Sequence, residues 1–140
     1  MGEAAVGQPD QQIMTPTQRS MAYFRGLGML CGVVERWIPN PKHPGGGFRS
    51  DFLGFLDMLY MSKTDGIVGV QSCGQDFSAH RKKILVDRRE ELREWLEAGG
   101  RCVLIGWRKV KAKKGGVQMV WKPRIEEFTL EGLREEDQGK

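Results

Sequence analysis

Cysteine and histidine are scarce in this sequence. Its 140 residues hold three cysteines, Cys31, Cys73 and Cys102, and two histidines, His43 and His80. The cysteines are odd in number and far apart, which argues against a disulfide framework and for a reducing compartment. Zinc-ligand spacing is absent. No apolar run approaches the ~18–20 residues that a membrane span needs. Residues 1–12 are polar and lack a basic start followed by an apolar segment, so no secretory signal is expected. No internal repeat is found. These absences lead us to expect an intracellular, cytoplasmic protein with no membrane partner.

The length suits one domain with a single core. Hydrophobic residues are 39% and charged residues 29%, an ordinary balance for a globular chain. Net charge is +4, which alone says little about a polyanionic partner. Its distribution says more. Arg108, Lys109, Lys111, Lys113 and Lys114 lie close together, and Glu126, Glu127, Glu131, Glu135, Glu136 and Asp137 crowd the C-terminus. The basic cluster reads either as a solvated loop or as a set of phosphate contacts. We expect a disordered leader over 1–14, one domain over 15–133, and a flexible acidic tail over 134–140.

A helix starts at Thr15, a good N-cap, with Pro16 at the first helical position and Gln18 placed for a capping box. Met21, Phe24, Leu27 and Leu30 recur on one face. Residues 31–38 read as a strand. The stretch 39–49 holds Pro39, Pro41, Pro44 and three consecutive glycines. No Gly-Lys-Ser/Thr follows it, so it reads as a mobile connection and not a phosphate loop. Residues 52–61 are nearly all apolar, as in a central strand buried on both faces. Asp65-Gly66 marks a hairpin turn, and 67–71 is the return strand. A second helix spans 78–97, with Ile84, Leu85, Leu92, Trp95 and Leu96 as its buried stripe. Strands follow at 102–107 and 117–121, joined by a basic loop over 109–116, and 125–130 forms an edge strand or short helix. The expected fold is α/β, a small mixed sheet flanked by helices in the order α-β-β-β-α-β-β. Trp107 and Trp121 are expected to pair across strands.

Asp57 is the one side chain in the apolar run 52–61 that is ordinarily charged at neutral pH. A buried carboxylate is costly unless it is paired, hydrogen-bonded or metal-bound. Counting back from a 62–66 turn, Met61 pairs with Ile67 and Asp57 falls opposite Gln71. Asp57, Gln71 and Cys73 then share one sheet face. An acid with a polar residue opposite it is the layout of a metal-dependent nuclease site, which needs oxygen ligands for a hard cation. Cys73 as a nucleophile would need an activating base, and no triad spacing with His80 is recognisable.

Four stretches carry a family resemblance: "GMLCGVVERWIP", "RSDFLGFLDMLYM", "GIVGVQSCG" and "WLEAGGRCVLIGWRK". Their order resembles the PD-(D/E)XK nuclease superfamily, particularly its small junction-resolvase-like and phage-type members, over residues 15–109. The resemblance implies a restriction-endonuclease-like fold and metal-dependent endonuclease activity on DNA, branched or duplex, with Mg²⁺ or Mn²⁺. It also implies a homodimer. The family's aspartate lands on Asp57. Its acid-x-lysine motif falls on Gln71-Ser72-Cys73, so the acid is replaced by an amide and the lysine by a thiol. The glutamate that many members carry in the first helix falls nearest to Gln18. Lys83, three residues after His80 on the same helix face, is the candidate for a lysine that has moved. Glu35 is a candidate second acid. The expected catalytic set is therefore Asp57, Gln71, Lys83 and Glu35, with Asp57 and Gln71 as metal ligands. The expected nucleic-acid contacts are Arg81, Lys82, Arg108, Lys109, Lys111, Lys113 and Lys114. The competing expectation is an inactive nuclease fold kept for nucleic-acid binding or phage assembly.

Overall fold

The computed structural model describes residues 14–139, so most of the expected leader lies outside the described residues. The fold is α/β. A five-stranded sheet has the order β1-β4-β5-β6-β7, with β1 Leu30–Val33, β4 Met58–Ser62, β5 Gly66–Cys73, β6 Arg101–Lys111 and β7 Met119–Phe128. Only β5 and β6 run parallel; their neighbours pair antiparallel. A separate two-stranded sheet joins β2 Arg36–Pro39 to β3 Gly47–Ser50. The helices are α1 Pro16–Gly26, α2 Phe77–Lys82, α3 Arg89–Glu97 and α4 Leu130–Gln138. No helix among the described residues is long and apolar enough to cross a membrane.

The first helix begins as its sequence dictates. Thr15 Oγ1 accepts from Gln18 N at 3.1 Å, and Gln18 Oε1 accepts from Thr15 N at 2.9 Å. That capping box occupies Gln18 at the exposed start of α1. One face of the main sheet packs Met58, Tyr60, Val68, Val70, Val103 and Trp107 against Met21 and Phe24 of α1. A buried polar joint crosses this layer: Trp107 Nε1 donates to Ser20 Oγ at 2.9 Å, and Ser20 and Ser72 hydroxyls meet at 2.7 Å. The other face packs Cys73, Cys102 and Leu104 against Phe77, Ile84, Leu85, Leu92 and Leu96.

Several boundaries differ from expectation. The stretch 31–38 is two strands, not one. The proline- and glycine-rich stretch that followed it is the second half of a hairpin: Pro39 pairs with Gly47, Ile38 with Phe48, Trp37 with Arg49 and Arg36 with Ser50. The apolar run 52–61 is strand only from Met58. Before it, Phe52 and Leu56 exchange backbone hydrogen bonds of 2.9 Å around a tight turn with Leu53 and Gly54 at φ 58° and 82°. The turn drops Phe55 and Leu56 fully into the core, so the run is apolar because it plugs the sheet and not because it extends it. The helix expected over 78–97 is broken: a π-helical turn, Lys83–Asp87, separates α2 from α3. Lys109 and Lys111, assigned to a loop, lie on β6. Trp121 pairs with Lys109, and Trp107 pairs with Pro123, so the two tryptophans are diagonal neighbours and not partners. Residues 125–128 continue β7, and helix follows from Leu130. The acidic run assigned to a flexible tail lies largely in α4, where Arg89 reaches Glu136 at 3.0 Å and Asp137 at 2.8 Å.

Candidate metal centre

Three carboxylates meet where β1, the β2–β3 hairpin and β4 converge. One oxygen each from Glu35, Asp51 and Asp57 lies within 4.8 Å of the others. Local backbone geometry explains the meeting. Val34 N and Glu35 N both donate to Asp57 O, at 2.9 and 3.2 Å, which pins the exit of β1 to the entry of β4. The hairpin then leaves and returns. Its last rung is Arg36 with Ser50, so Glu35 and Asp51 flank its base as the next rung out.

Asp57 N donates to Val70 O at 2.8 Å, carrying the β4–β5 register one residue beyond Met58 paired with Val70. This sets Asp57 opposite Gln71, as the count from the turn requires. Asp57 Oδ2 accepts from Ser72 N at 2.7 Å and from Gln71 Nε2 at 3.0 Å. Gln71 Nε2 also lies 3.4 Å from Asp51 Oδ2. Asp57 is 5% exposed. Burial pushes its carboxyl up to about 8, and the neighbouring Asp51 adds to the rise; the donors from Ser72 and Gln71 pull it down.

The helical side supplies two more groups. Lys83 opens the π-helical turn and places Nζ 3.4 Å from Asp51 Oδ2. His80, one turn earlier, sets Nδ1 3.3 Å from Gln71 Oε1, and its Nε2 lies 3.0 Å from Asp76 Oδ2. All four expected catalytic residues, Glu35, Asp57, Gln71 and Lys83, therefore border one cluster. Lys83 enters it through Asp51 and not through Asp57. Asp51 and the His80 contact were missed. The signal for Asp51 was its symmetry with Glu35 about a proline- and glycine-rich turn, visible only once 36–50 is read as a hairpin. Cys73 lies on the same face but is packed against Phe77 and Gly106, 2% exposed. Burial holds its thiol up near 11, so little thiolate exists at neutral pH. Gln18 is occupied in its capping box at the start of α1 and forms no part of the cluster.

A donor set of three carboxylates and one amide suits a hard divalent cation such as Mg²⁺ or Mn²⁺. The electrostatics fit the same group. Three acids face one lysine, and the most buried of them resists ionisation until positive charge arrives. Gln71 is a ligand through Oε1 only after its amide turns over, because Nε2 faces the carboxylates here.

The expected nucleic-acid residues fall on different surfaces. Arg81 Nε is engaged by both oxygens of Glu126, at 2.9 and 3.0 Å. Lys82 is exposed. Along β6 side chains alternate, so Arg108 shares the face of Gly106 and Phe77, while Lys109 and Lys111 share the face of Trp107 and α1. On the α1 side, Arg19 stacks over Trp121 at 4.0 Å and Lys109 approaches the same ring at 5.5 Å. On the other side, Gly74, Gln75, Phe77, Gly106, Arg108 and Arg124 line a cleft of about 240 Å³. It follows Gln71 along β5, and Arg124 lies over the Phe77 ring at 4.0 Å. Lys113 and Lys114 lie in the turn between β6 and β7. No family model, curated protein or solved structure matches the chain.

Proposed function

We propose that this protein is a divalent-metal-dependent endonuclease of the PD-(D/E)XK type, acting on DNA and favouring branched structures. The observation that carries the reading is the cluster of Glu35, Asp51 and Asp57 within 4.8 Å, with Lys83 at its edge. Glu35, Asp51 and Asp57 would hold Mg²⁺ or Mn²⁺, with the Gln71 carbonyl as a further oxygen ligand. When bound, such an ion supplies positive charge at the phosphate and acidifies water. The protein's own groups do the rest. Lys83 offsets charge developing on the phosphate oxygens as a water oxygen bonds to phosphorus and one ester P–O bond breaks. Ser72 N holds Asp57 in place, and the neutral His80 ring would accept from Gln71 Nε2 once the amide has turned its oxygen to the metal. The chain order, with one helix before three antiparallel strands and a crossover helix into a parallel strand, supports the resemblance once the accessory hairpin is set aside. Two observations favour the inactive, DNA-binding reading as runner-up: Gln71 replaces the usual second acid, and buried Cys73 replaces the usual lysine.

The deciding experiment is incubation of labelled branched and linear DNA with Mn²⁺ or Mg²⁺, with Asp57→Ala as control. Cleavage by the parent and none by the variant supports the enzyme. Binding without cleavage under either metal moves the reading to the runner-up.

A further inference from the structure

We propose that the β2–β3 hairpin is a stacking platform, on which Trp37 and Arg49 receive an unpaired nucleobase beside the carboxylate cluster. The inference rests on the nuclease reading and narrows its substrate to DNA with unpaired bases at the cut site.

The first support is the shared face. Trp37 pairs directly with Arg49, so both side chains leave the ribbon on the same side. Glu35 lies two residues before Trp37, just ahead of β2, and Asp51 two residues after Arg49, just past β3, so continued alternation puts both on that same side. Arg49 Nη1 reaches Glu35 Oε1 at 3.4 Å, as this placement requires. The aromatic rung thus stands two residues from the acids, ~7 Å at the rise of a strand. That is within the span of a single nucleotide.

The second is the seat of the indole. Trp37 is 53% exposed, yet it is not loose. Its ring lies across Gly47, where an added Cβ would sit 2.7 Å from the Cε2 and Cζ2 atoms. Part of the ring is therefore packed close against the Gly47 backbone while about half of the residue stays open to solvent. A single exposed tryptophan carries no message. A tryptophan held against a glycine, beside an arginine whose side chain is 69% exposed, is a preorganised surface for a planar ring.

The third is charge. Between Arg36 and Ser50 the chain carries Arg36, Lys42 and Arg49 and no carboxylate. An apolar protein partner would find the ring bordered by a guanidinium and two acids. A nucleotide strand finds an aromatic for its base, cations for its phosphates and oxygen ligands for the metal beside them. Bases inside a duplex are already stacked on their neighbours, so the platform selects unpaired ones.

The test is DNA binding measured with EDTA present, so that cleavage plays no part, followed separately by cleavage with Mn²⁺. Single-stranded oligonucleotide, a branched junction and a blunt duplex are titrated while tryptophan fluorescence and anisotropy are followed. In the parent, unpaired DNA quenches fluorescence. Trp37→Phe removes that quenching but keeps most of the affinity, because a phenyl ring still stacks. Trp37→Ala weakens binding of single-stranded and branched DNA by roughly 5- to 150-fold, the scale of losing one stacked base. Its affinity for blunt duplex stays near parental, which also shows that the variant is folded. Unchanged single-strand affinity in Trp37→Ala overturns the platform, as does an equal loss on blunt duplex. So does loss of a dimer in Trp37→Ala with DNA binding intact, which assigns the surface to a second copy. Cleavage failure in the parent, with Trp37-dependent binding preserved, removes the nuclease reading and leaves the platform standing.

Discussion

At the scale of single residues, Asp57 and Lys83 divide the work of charge. Asp57 has an ordinary carboxyl value of 3.8 in the unfolded chain and one raised to about 8 in the fold. Between those two values the folded state holds a proton that the unfolded state has released. Stability of the metal-free protein therefore falls as pH rises through this window; the contribution is full below about 4 and gone above about 8. Thermal melts in EDTA from pH 4 to pH 9 check this sign. Asp57→Asn should flatten the trend, and Asp51→Asn should move it to lower pH by removing the neighbouring charge. Saturating Mn²⁺ should flatten the slope above about pH 4, since the cation displaces the proton from the same oxygens and leaves both states unprotonated there. Lys83 faces the opposite demand. Its ammonium meets Asp51 in the free protein and the reacting phosphate in the proposed complex. Lys83→Ala should cost cleavage roughly 10²-fold while leaving most of the DNA affinity, as measured by single-turnover kinetics beside a binding titration.

At the scale of elements, the β2–β3 hairpin and the π-helical turn matter more than their size suggests. The hairpin contributes little to the main core; both its ends contribute to the cluster. Its closure depends on Gly47. An alanine Cβ there would sit 2.5 Å from Ile38 O and 2.7 Å from the Trp37 ring. A backbone oxygen gives way less easily than a flexible side chain, so Gly47→Ala should destabilise the hairpin by about 1–3 kcal/mol. Limited proteolysis should then cut within 36–50 much faster, with a small change in the global melting temperature and a drop in cleavage. Parental protease resistance and activity in this variant would show that the hairpin tolerates the added methyl group. The π-helical turn acts on the other side of the cluster. An extra residue in the turn changes which side chains face the sheet. It leaves Ile84 and Leu85 in the core and Lys83 at the carboxylates.

For the whole molecule, the question is where the positive charge lies relative to the site. Arg108 and Arg124 border the cleft on the same sheet face as Gln71; Lys109 and Lys111 project on the α1 side. A strand of DNA placed at the carboxylates meets the first pair before the second. The salt dependence of binding tests this. Removing one side chain that neutralises a duplex phosphate should lower the steepness of log affinity against log salt by about 0.9. Replacing Arg108 and Arg124 with alanine should flatten that slope, and replacing Lys111, Lys113 and Lys114 should flatten it only if the DNA wraps around the β6–β7 end. An unchanged slope in both variants would assign both groups to solvation.

What the sequence alone determined is local or follows from a register. Thr15-Pro16 and Gln18 mark the start of α1 because a capping box closes within four residues. Asp65-Gly66 sets the turn, and a period of two then carries the count from Met61 and Ile67 back to Asp57 and Gln71. The isolation of Asp57 in an apolar run already pointed to an unusual carboxylate. Tertiary structure decided the rest. Asp51 joins the site only because a hairpin returns the chain to Glu35, and prolines and glycines concealed that hairpin as a loop. Lys83 joins through Asp51 because a π-helical turn, invisible in helical periodicity, breaks the second helix. The basic cluster divides between two faces because alternation along β6 separates neighbours that the sequence shows side by side. In each case the deciding fact is which backbone lies opposite which. That follows from packing the whole chain around one sheet.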